Sequence, residues 1–190
     1  MPEITTIQRT DEWASARKGL ITASLAGAIL GIDQYRGPFS AWQEIMGHKK
    51  PTINGAMDYG IRNEARARGE YEAESGNIVQ ETGFWTHPEL RWFGASPDGL
   101  VGANGLVEVK CLSKLPEEIP PKYQAQMRVQ LACTDREWCD FFVWIEGGHY
   151  LKRLNRDPQK EADLLDQLSA WYHEFVVTGI APPRRKRVKP

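Results

Sequence analysis

The sequence lacks any long hydrophobic run, although 41% of its 190 residues are hydrophobic. Its apolar stretches fall far short of the roughly 18 residues that a membrane-spanning helix needs. No positively charged segment followed by an apolar stretch opens the chain, so we expect no signal peptide. These features predict one globular domain that works in the cytoplasm without a membrane partner.

Cysteine is scarce, and its spacing excludes two kinds of site. Cys111, Cys133 and Cys139 are odd in number and form no Cys-x-x-Cys motif. A zinc site or a disulfide framework would need such pairing. Cys111 would need a neighbouring activator to act as a nucleophile, and the sequence around it offers none. We therefore expect three reduced thiols that pack in the core.

The net charge is also small, and its distribution is uneven. A formal net charge of −1 argues against a protein that coats DNA through bulk charge. Positive charge is concentrated in the last seven residues, at Arg184, Arg185, Lys186, Arg187 and Lys189. Without these five residues the chain would carry −6. We expect a single domain over residues 1–181 and a basic tail over 182–190, which either binds phosphates or is simply solvated.

Periodicity and turn residues predict alternating helices and strands. Capping residues and glycine stops predict helices near residues 10–19, 22–30, 38–47, 54–76, 122–133 and 157–178. Runs of β-forming residues between turns predict strands near residues 78–86, 92–95, 99–101, 106–111, 138–145 and 149–154. This order predicts an α/β fold with a mixed central β-sheet flanked by helices.

Three charged residues stand close together on a turn and the strand that follows it. Asp98 lies in a Ser-Pro-Asp-Gly turn, and Glu108 and Lys110 lie two apart in an apolar strand. Residues two apart on a strand point to the same face, so a carboxylate and an ammonium protrude together. With Asp98 opposite, Glu108 completes a site for Mg²⁺, which prefers oxygen ligands, and Lys110 places a positive charge beside it. Such an ion can activate water for attack on a phosphodiester.

The same residues also have simpler interpretations. A Glu-x-Lys pair on a strand is most often a solvated ion pair, and Pro-Asp-Gly is most often only a turn. A two-carboxylate glycosidase would also use two acids, but it would need neither a metal nor Lys110. The local pattern alone therefore leaves the function open.

Five motifs in order supply the missing context. Pro97-Asp98 followed by Glu108-x-Lys110 resembles the PD-(D/E)xK nuclease superfamily. The segments 13–24, 60–66 and 123–127 resemble further motifs of one branch, the phage lambda exonuclease and YqaJ-like viral recombinase nuclease family. These motifs cover most of the chain. The resemblance implies a restriction-endonuclease-like core.

The resemblance also implies a metal site and its ligands. The implied ligands are Asp98, Glu108, the carbonyl of Val109, and Glu64 from a helix. They would hold one or two Mg²⁺ ions per subunit, for which Mn²⁺ can substitute. Lys110 would either orient or deprotonate the attacking water or stabilise charge in the transition state, and the sequence leaves both roles open.

A pocket for a 5′-phosphate is implied in the same way. Its members are Arg17, Ser24, Ser96 and Gln126. Arginine suits this task because its planar fork pairs with phosphate oxygens. Arg36, in the loop formed by residues 31–37, is a further candidate for contact with DNA.

Together these features imply a Mg²⁺-dependent 5′-to-3′ exonuclease on linear double-stranded DNA, which releases mononucleotides and leaves a 3′ overhang. The resemblance further implies a homotrimeric ring, a single-strand annealing recombinase as partner, and a bacterial cytoplasm with a phage or prophage origin. The alternatives are a site-specific endonuclease or junction resolvase of the same superfamily, and a non-catalytic DNA-binding subunit.

Overall fold

Helices and strands alternate along the chain in this computed structural model, which describes residues 3–4, 8, 10–49 and 55–184. The α-helices are α1 Asp11–Ala16, α2 Ala26–Ile29, α3 Pro38–Ile45, α4 Gly55–Ser75, α5 Pro121–Thr134 and α6 Pro158–Trp171. The strands are β1 Glu3–Ile4, β2 Ile21–Thr22, β3 Val79–Gln80, β4 Phe84–Thr86, β5 Phe93–Ala95, β6 Gly99–Val101, β7 Gly105–Cys111, β8 Trp138–Ile145 and β9 Gly148–Asn155. A 3₁₀ turn, Ala23–Leu25, precedes α2, and a π-helical segment, Tyr172–Val177, follows α6.

The strands form two sheets where the sequence predicts one. The larger sheet has the order β3-β6-β7-β8-β9, and the smaller has the order β1-β4-β5-β2. In the larger sheet β7 runs parallel to β8, whereas the other neighbours are antiparallel. The predicted strand 78–86 is divided because residues 81–83 interrupt it, and its halves join different sheets. The predicted class, a mixed sheet flanked by helices, is confirmed.

Alternation along β7 separates two layers of the fold. Val107 and Val109 pack in a cluster with residues of α4. Leu106 packs with residues of α5, and Glu108 points the same way, since its carboxylate accepts hydrogen bonds from α5 side chains. The strand thus directs its apolar side to α4 and its acid to α5.

A buried polar contact fixes α4 on the sheet. Asp140 of β8 is only 3% exposed, and its carboxylate accepts a 2.9 Å hydrogen bond from the Tyr71 hydroxyl of α4. Arg153 of β9 donates to the same carboxylate at 2.8 and 3.0 Å. Burial and the charge of Asp140 raise the pKa of Tyr71 above its usual range, so the hydroxyl remains a donor.

A glycine allows α2 and α5 to approach closely. A Cβ atom at Gly27 would lie 2.7 Å from the Cβ of Lys122, closer than real Cβ atoms come to one another. The missing side chain therefore brings the turn Ala23–Leu25, which carries Ser24, against the helix that carries Gln126.

Two predicted helices differ from the structure. The predicted helix 22–30 is shorter, because the β-branched pair Ile21–Thr22 forms β2 and pairs in parallel with β5. The predicted helix 157–178 changes to π-helical geometry at Tyr172. The predicted caps hold: Thr10 accepts from the Trp13 amide at 3.3 Å, and Asp157 accepts from the Lys160 amide at 3.1 Å.

The cysteines are unpaired thiols, as predicted. Cys133 and Cys139 are buried, and Cys111 is partly buried. Burial raises the pKa of all three thiols, which keeps them protonated.

Among the described residues, no helix combines the length and the apolar character that crossing a membrane requires.

The predicted basic tail lies within the described residues as far as Arg184. The guanidinium of Arg184 lies 4.5 Å from the ring of Phe39. Residues 185–190 lie outside them, so the proposed phosphate contact of the tail stays a prediction.

The hydrogen bond between Tyr71 and Asp140 should stabilise the fold measurably. We expect Tyr71→Phe to lower the free energy of unfolding by about 1.5–3 kcal/mol, since a buried carboxylate loses a donor. Urea denaturation followed by circular dichroism measures the change. Tyr59→Phe, at a tyrosine that is 41% exposed, is the control and should stay within roughly 0.5 kcal/mol of wild type. Equal stability of the two variants would contradict this role.

Candidate active site

One cavity of about 190 Å³ gathers most of the residues predicted from the sequence. Its lining includes Arg17, Ser24, Ser96, Asp98, Glu108, Lys110 and Gln126. These residues come from the end of α1, the turn before α2, the connection between β5 and β6, β7, and α5. Segments that are more than a hundred residues apart in the chain therefore meet at one point.

The two carboxylates and the lysine at the base of the cavity are in contact. The Lys110 ammonium forms an ion pair with the Glu108 carboxylate and lies 3.8 Å from Oδ2 of Asp98. The backbone amide of Val109 donates to the same Asp98 oxygen at 2.8 Å. The turn and the strand predicted to face each other thus do so.

Two glutamines hold Glu108, whose side chain is completely buried. Gln126 donates to its Oε1 and Gln130 donates to its Oε2, each at 2.6 Å. Gln126 is therefore bonded to an acid rather than free in the phosphate pocket. Gln130 was not among the predicted site residues, although its position one helical turn after Gln126 places it on the same face.

Crowding of charge changes the protonation of this group. Burial and the negative charge of Glu108 raise the pKa of Asp98 to about 7. Burial lowers the pKa of Lys110, but the charges of Glu108 and Asp98 outweigh it and raise the pKa above its usual range. The ammonium is therefore held in its charged form between two acids.

Glu64 is not among the residues that line this cavity. It lies on α4, where Arg68 is 3.9 Å from its carboxylate, and its charge contributes to the raised pKa of Asp98. No set of three or more His, Cys, Asp or Glu side chains in the described part of the chain is arranged to hold a metal ion. The role of Glu64 as a metal ligand stays a prediction.

Asp98 and Glu108 nevertheless fit a divalent cation. Mg²⁺ needs oxygen ligands and usually keeps several waters, so two carboxylates and a carbonyl suffice. Burial and the charge of Glu108 raise the pKa of Asp98, and a bound cation would offset both effects. The carbonyl of Val109 faces the edge where its amide meets Asp98, because both groups of a strand residue point to one side. Metal binding by these three, and by Glu64, stays a prediction.

Arg17 faces the cavity without an acidic partner. Its guanidinium lies 3.8 Å from the Trp13 ring and donates to the Thr22 hydroxyl at 3.4 Å. None of the ion pairs in the described ranges includes Arg17. Burial lowers its pKa to about 10, against the opposing charge of Glu44. A partly buried cation in this position would be stabilised by a bound anion.

The two predicted serines line the same cavity. The Ser96 hydroxyl accepts a 2.8 Å hydrogen bond from the indole of Trp13, and the Ser24 hydroxyl lies 3.4 Å from that of Thr22. Trp13 thus positions both Ser96 and Arg17, a role its place in the first motif could have suggested. Gln8, which donates to the carbonyl of Pro97 at 2.9 Å, had no signal in the sequence.

Arg36 lies outside the cavity. It donates to the Ser24 carbonyl at 2.6 Å and to the Asp33 carboxylate at 3.3 Å. It therefore braces the turn that carries Ser24, and its contact with DNA stays a prediction.

A family model that describes the YqaJ-like viral recombinase domain matches residues 12–137, which hold every residue of this cavity named above except Gln8. The chain belongs to the YqaJ-like viral recombinase family. The family resemblance found in the sequence is thereby confirmed.

Two relatives are similar over most of the chain. The crystal structure of the alkaline exonuclease LHK-Exo from Laribacter hongkongensis is 33% identical, with a TM-score of 0.75 over 90% of this chain and 94% of that one. In complex with dAMP, the same protein matches with a TM-score of 0.77. The uncharacterized Bacillus subtilis protein YqaJ is 28% identical over 90% of this chain, which spans 58% of that relative's length.

A more distant structure extends the likeness of the fold. A phage-related exonuclease from Haemophilus somnus is 12% identical, with a TM-score of 0.66 over 85% of this chain and 95% of that one. At this identity the likeness supports the shared fold alone.

Loss of a hydrogen bond to Glu108 should weaken metal binding. We expect Gln130→Leu to weaken Mn²⁺ binding roughly 10- to 100-fold, since a partner that orients a metal ligand is lost. Calorimetric titration of the metal-free protein with Mn²⁺ measures this, and Gln167→Leu on the exposed side of α6 is the control. Unchanged affinity in a folded Gln130→Leu variant would show that Gln130 does not position Glu108.

Proposed function

We propose that this chain is a metal-dependent deoxyribonuclease that degrades the 5′-ended strand of linear duplex DNA from its end. The observation that carries the proposal is the shared cavity: Arg17, Ser24 and Ser96 line the space into which Asp98 and Lys110 point. A phosphate held by the first group would lie next to the second. The similarity to the alkaline exonuclease LHK-Exo supports nuclease activity.

In this proposal Mg²⁺, or Mn²⁺ in its place, binds Asp98, Glu108 and the carbonyl of Val109 as one or two ions, with Glu64 acting directly or through water. A bound ion of this kind activates water and polarises the phosphate. Gln126 and Gln130 keep both oxygens of Glu108 oriented toward the cavity. Asp98 is oriented by the amide of Val109.

Lys110 keeps both of its proposed roles. Its ammonium lies beside Glu108 and 3.8 Å from Asp98, next to the proposed metal ligands. From this position it can orient or help to deprotonate the attacking water, or stabilise the negative charge that develops on the phosphate.

Arg17 and the two serines would hold the terminal phosphate. The guanidinium of Arg17 offers a planar fork and has no carboxylate partner among the described residues. The Ser96 oxygen accepts from Trp13, so its own hydrogen remains available to donate to a phosphate oxygen. Ser24 contributes a second hydroxyl, and the Gln126 amide links this pocket to Glu108.

Degradation from a 5′-phosphorylated end would release mononucleotides and leave a 3′ overhang. The complex of LHK-Exo with dAMP supports a nucleotide as ligand. A homotrimeric ring around the DNA, a single-strand annealing recombinase as partner, and a bacterial cytoplasm with phage or prophage origin complete the proposal. Family membership supports this setting.

One gel assay tests the activity. With Mg²⁺, we expect progressive loss of the 5′-phosphorylated strand of a linear duplex, while a covalently closed circle stays intact because it has no end. EDTA should stop the reaction. Cleavage of the circle would instead indicate a site-specific endonuclease or resolvase, and an inert protein that binds the duplex would indicate a non-catalytic DNA-binding subunit.

A substitution of Arg17 tests the phosphate pocket. We expect Arg17→Ala to slow degradation of 5′-phosphorylated ends about 10- to 100-fold, since a charged hydrogen bond to phosphate is lost. Ends with a 5′-hydroxyl should be affected little. The neighbouring exposed residue provides the control, Lys18→Ala. Equal losses on both kinds of end, measured with matched duplexes, would remove Arg17 from phosphate recognition.

A further inference from the structure

A second cavity, of about 540 Å³, lies between α5, β9 and the start of α6. Its lining contains five basic side chains, Arg128, Lys152, Arg153, Arg156 and Lys160. Two carboxylates, Glu118 and Asp157, line it as well. We call this cavity the basic groove, and the proposed reaction does not use it.

Three of the five cations have carboxylate partners. Arg153 pairs with Asp140 at 2.8 Å, Arg156 pairs with Glu161 at 2.7 Å, and Lys160 pairs with Asp157 at 3.0 Å. No ion pair among residues 10–49 and 55–184 includes Arg128 or Lys152. These two residues therefore supply the positive charge of the basic groove that is not held in an ion pair, although the charge of Arg128 also acts on Asp157, and Glu118 lines the exposed side.

Arg128 carries the strongest sign of a missing ligand. Its Nη1 atom is buried and has no hydrogen-bond partner within the described part of the structure. A buried charged donor without an acceptor is unfavourable, and such groups usually have a ligand, an ion or water as partner. An anion in the basic groove would bind the remaining, accessible part of the guanidinium, which has no hydrogen-bond partner in the described residues either. Lys152 is exposed and lines the same groove.

Helix α5 connects the basic groove to the candidate active site. It turns Gln124 and Arg128 into the groove, and Gln126 and Gln130 into the catalytic cavity. Two residues correspond to about 200° of helical rotation, so the sites lie on opposite sides of one helix. A helix is about 10–12 Å across, roughly three nucleotide steps along a strand.

We propose that the basic groove binds the phosphodiester backbone of a nucleic-acid strand outside the cut site. The choice of nucleic acid rests on the proposed function. The planar fork of Arg128 suits phosphate oxygens, and Lys152 adds a second charge for the next phosphate. Ile119 and Leu154, which also line the groove, are buried core residues and leave the polar side chains to make the contacts.

The test measures binding of a 12-nucleotide single strand without a 5′-phosphate, in EDTA, by fluorescence anisotropy across a range of salt concentrations. For the double variant Arg128→Gln, Lys152→Gln we expect about tenfold weaker binding at low salt. The slope of log affinity against log salt should fall by about 0.7 for each lost phosphate contact. Lys152→Glu, at an exposed position that folding does not depend on, should weaken binding in the same direction.

The matched control is the double variant Lys49→Gln, Arg91→Gln. It removes the same two charges from exposed positions that line neither the basic groove nor the catalytic cavity. We expect it to bind the strand as wild type does. Equal losses in both double variants would reduce the effect to total charge and would overturn the proposal.

Three other outcomes would also overturn it. The first is unchanged affinity and salt slope in the groove variants. The second is a change in the oligomeric state of these variants on gel filtration, which would make the groove a protein interface. The third is loss of dAMP binding alone, which would make the groove a site for free nucleotides. The proposed function is tested independently of the basic groove. If the wild-type protein leaves linear duplex DNA intact in Mg²⁺ but binds the strand through Arg128 and Lys152, the exonuclease proposal is wrong and the binding site in the basic groove is supported.

Discussion

The buried carboxylate of Glu108 is the interaction on which the site depends. A charge with no exposure to water must be paired and hydrogen bonded, or it is strongly destabilising. Gln126, Gln130 and Lys110 meet that need, each from a fixed position on α5 or β7. The packing of α5 against the sheet and the geometry of the acid therefore constrain each other.

One end of the cavity holds two carboxylates and a single ammonium, whereas the other end holds an arginine that has no carboxylate partner among the described residues. Asp98 and Glu108 share the single ammonium of Lys110, and burial together with the charge of Glu108 raises the pKa of Asp98 to about 7. Arg17 lies in the same cavity beside an indole rather than a carboxylate. A cation at the first end and a phosphate at the second would satisfy both, which is the physical basis of the proposed reaction.

The formal net charge of −1 conceals this arrangement. Cations that have no carboxylate partner among the described residues, Arg17 in the cavity and Arg128 in the basic groove, lie at buried or partly buried places where an anion could be bound. Most of the other arginines in the described part of the chain form ion pairs with acids, as Arg153 does with Asp140. The positions of these charges, rather than their sum, make this surface suited to binding a polyanion.

Sequence alone determined what depends on local periodicity and motif order: the strands 99–101 and 138–145, the shared face of Glu108 and Lys110, and the family. Tertiary structure decided which faces meet. It placed Gln130 on Glu108 and divided the strands between two sheets. Periods of 2 and 3.6 residues fix the direction of a side chain relative to its own element, whereas its partners depend on long-range pairing that no local pattern encodes.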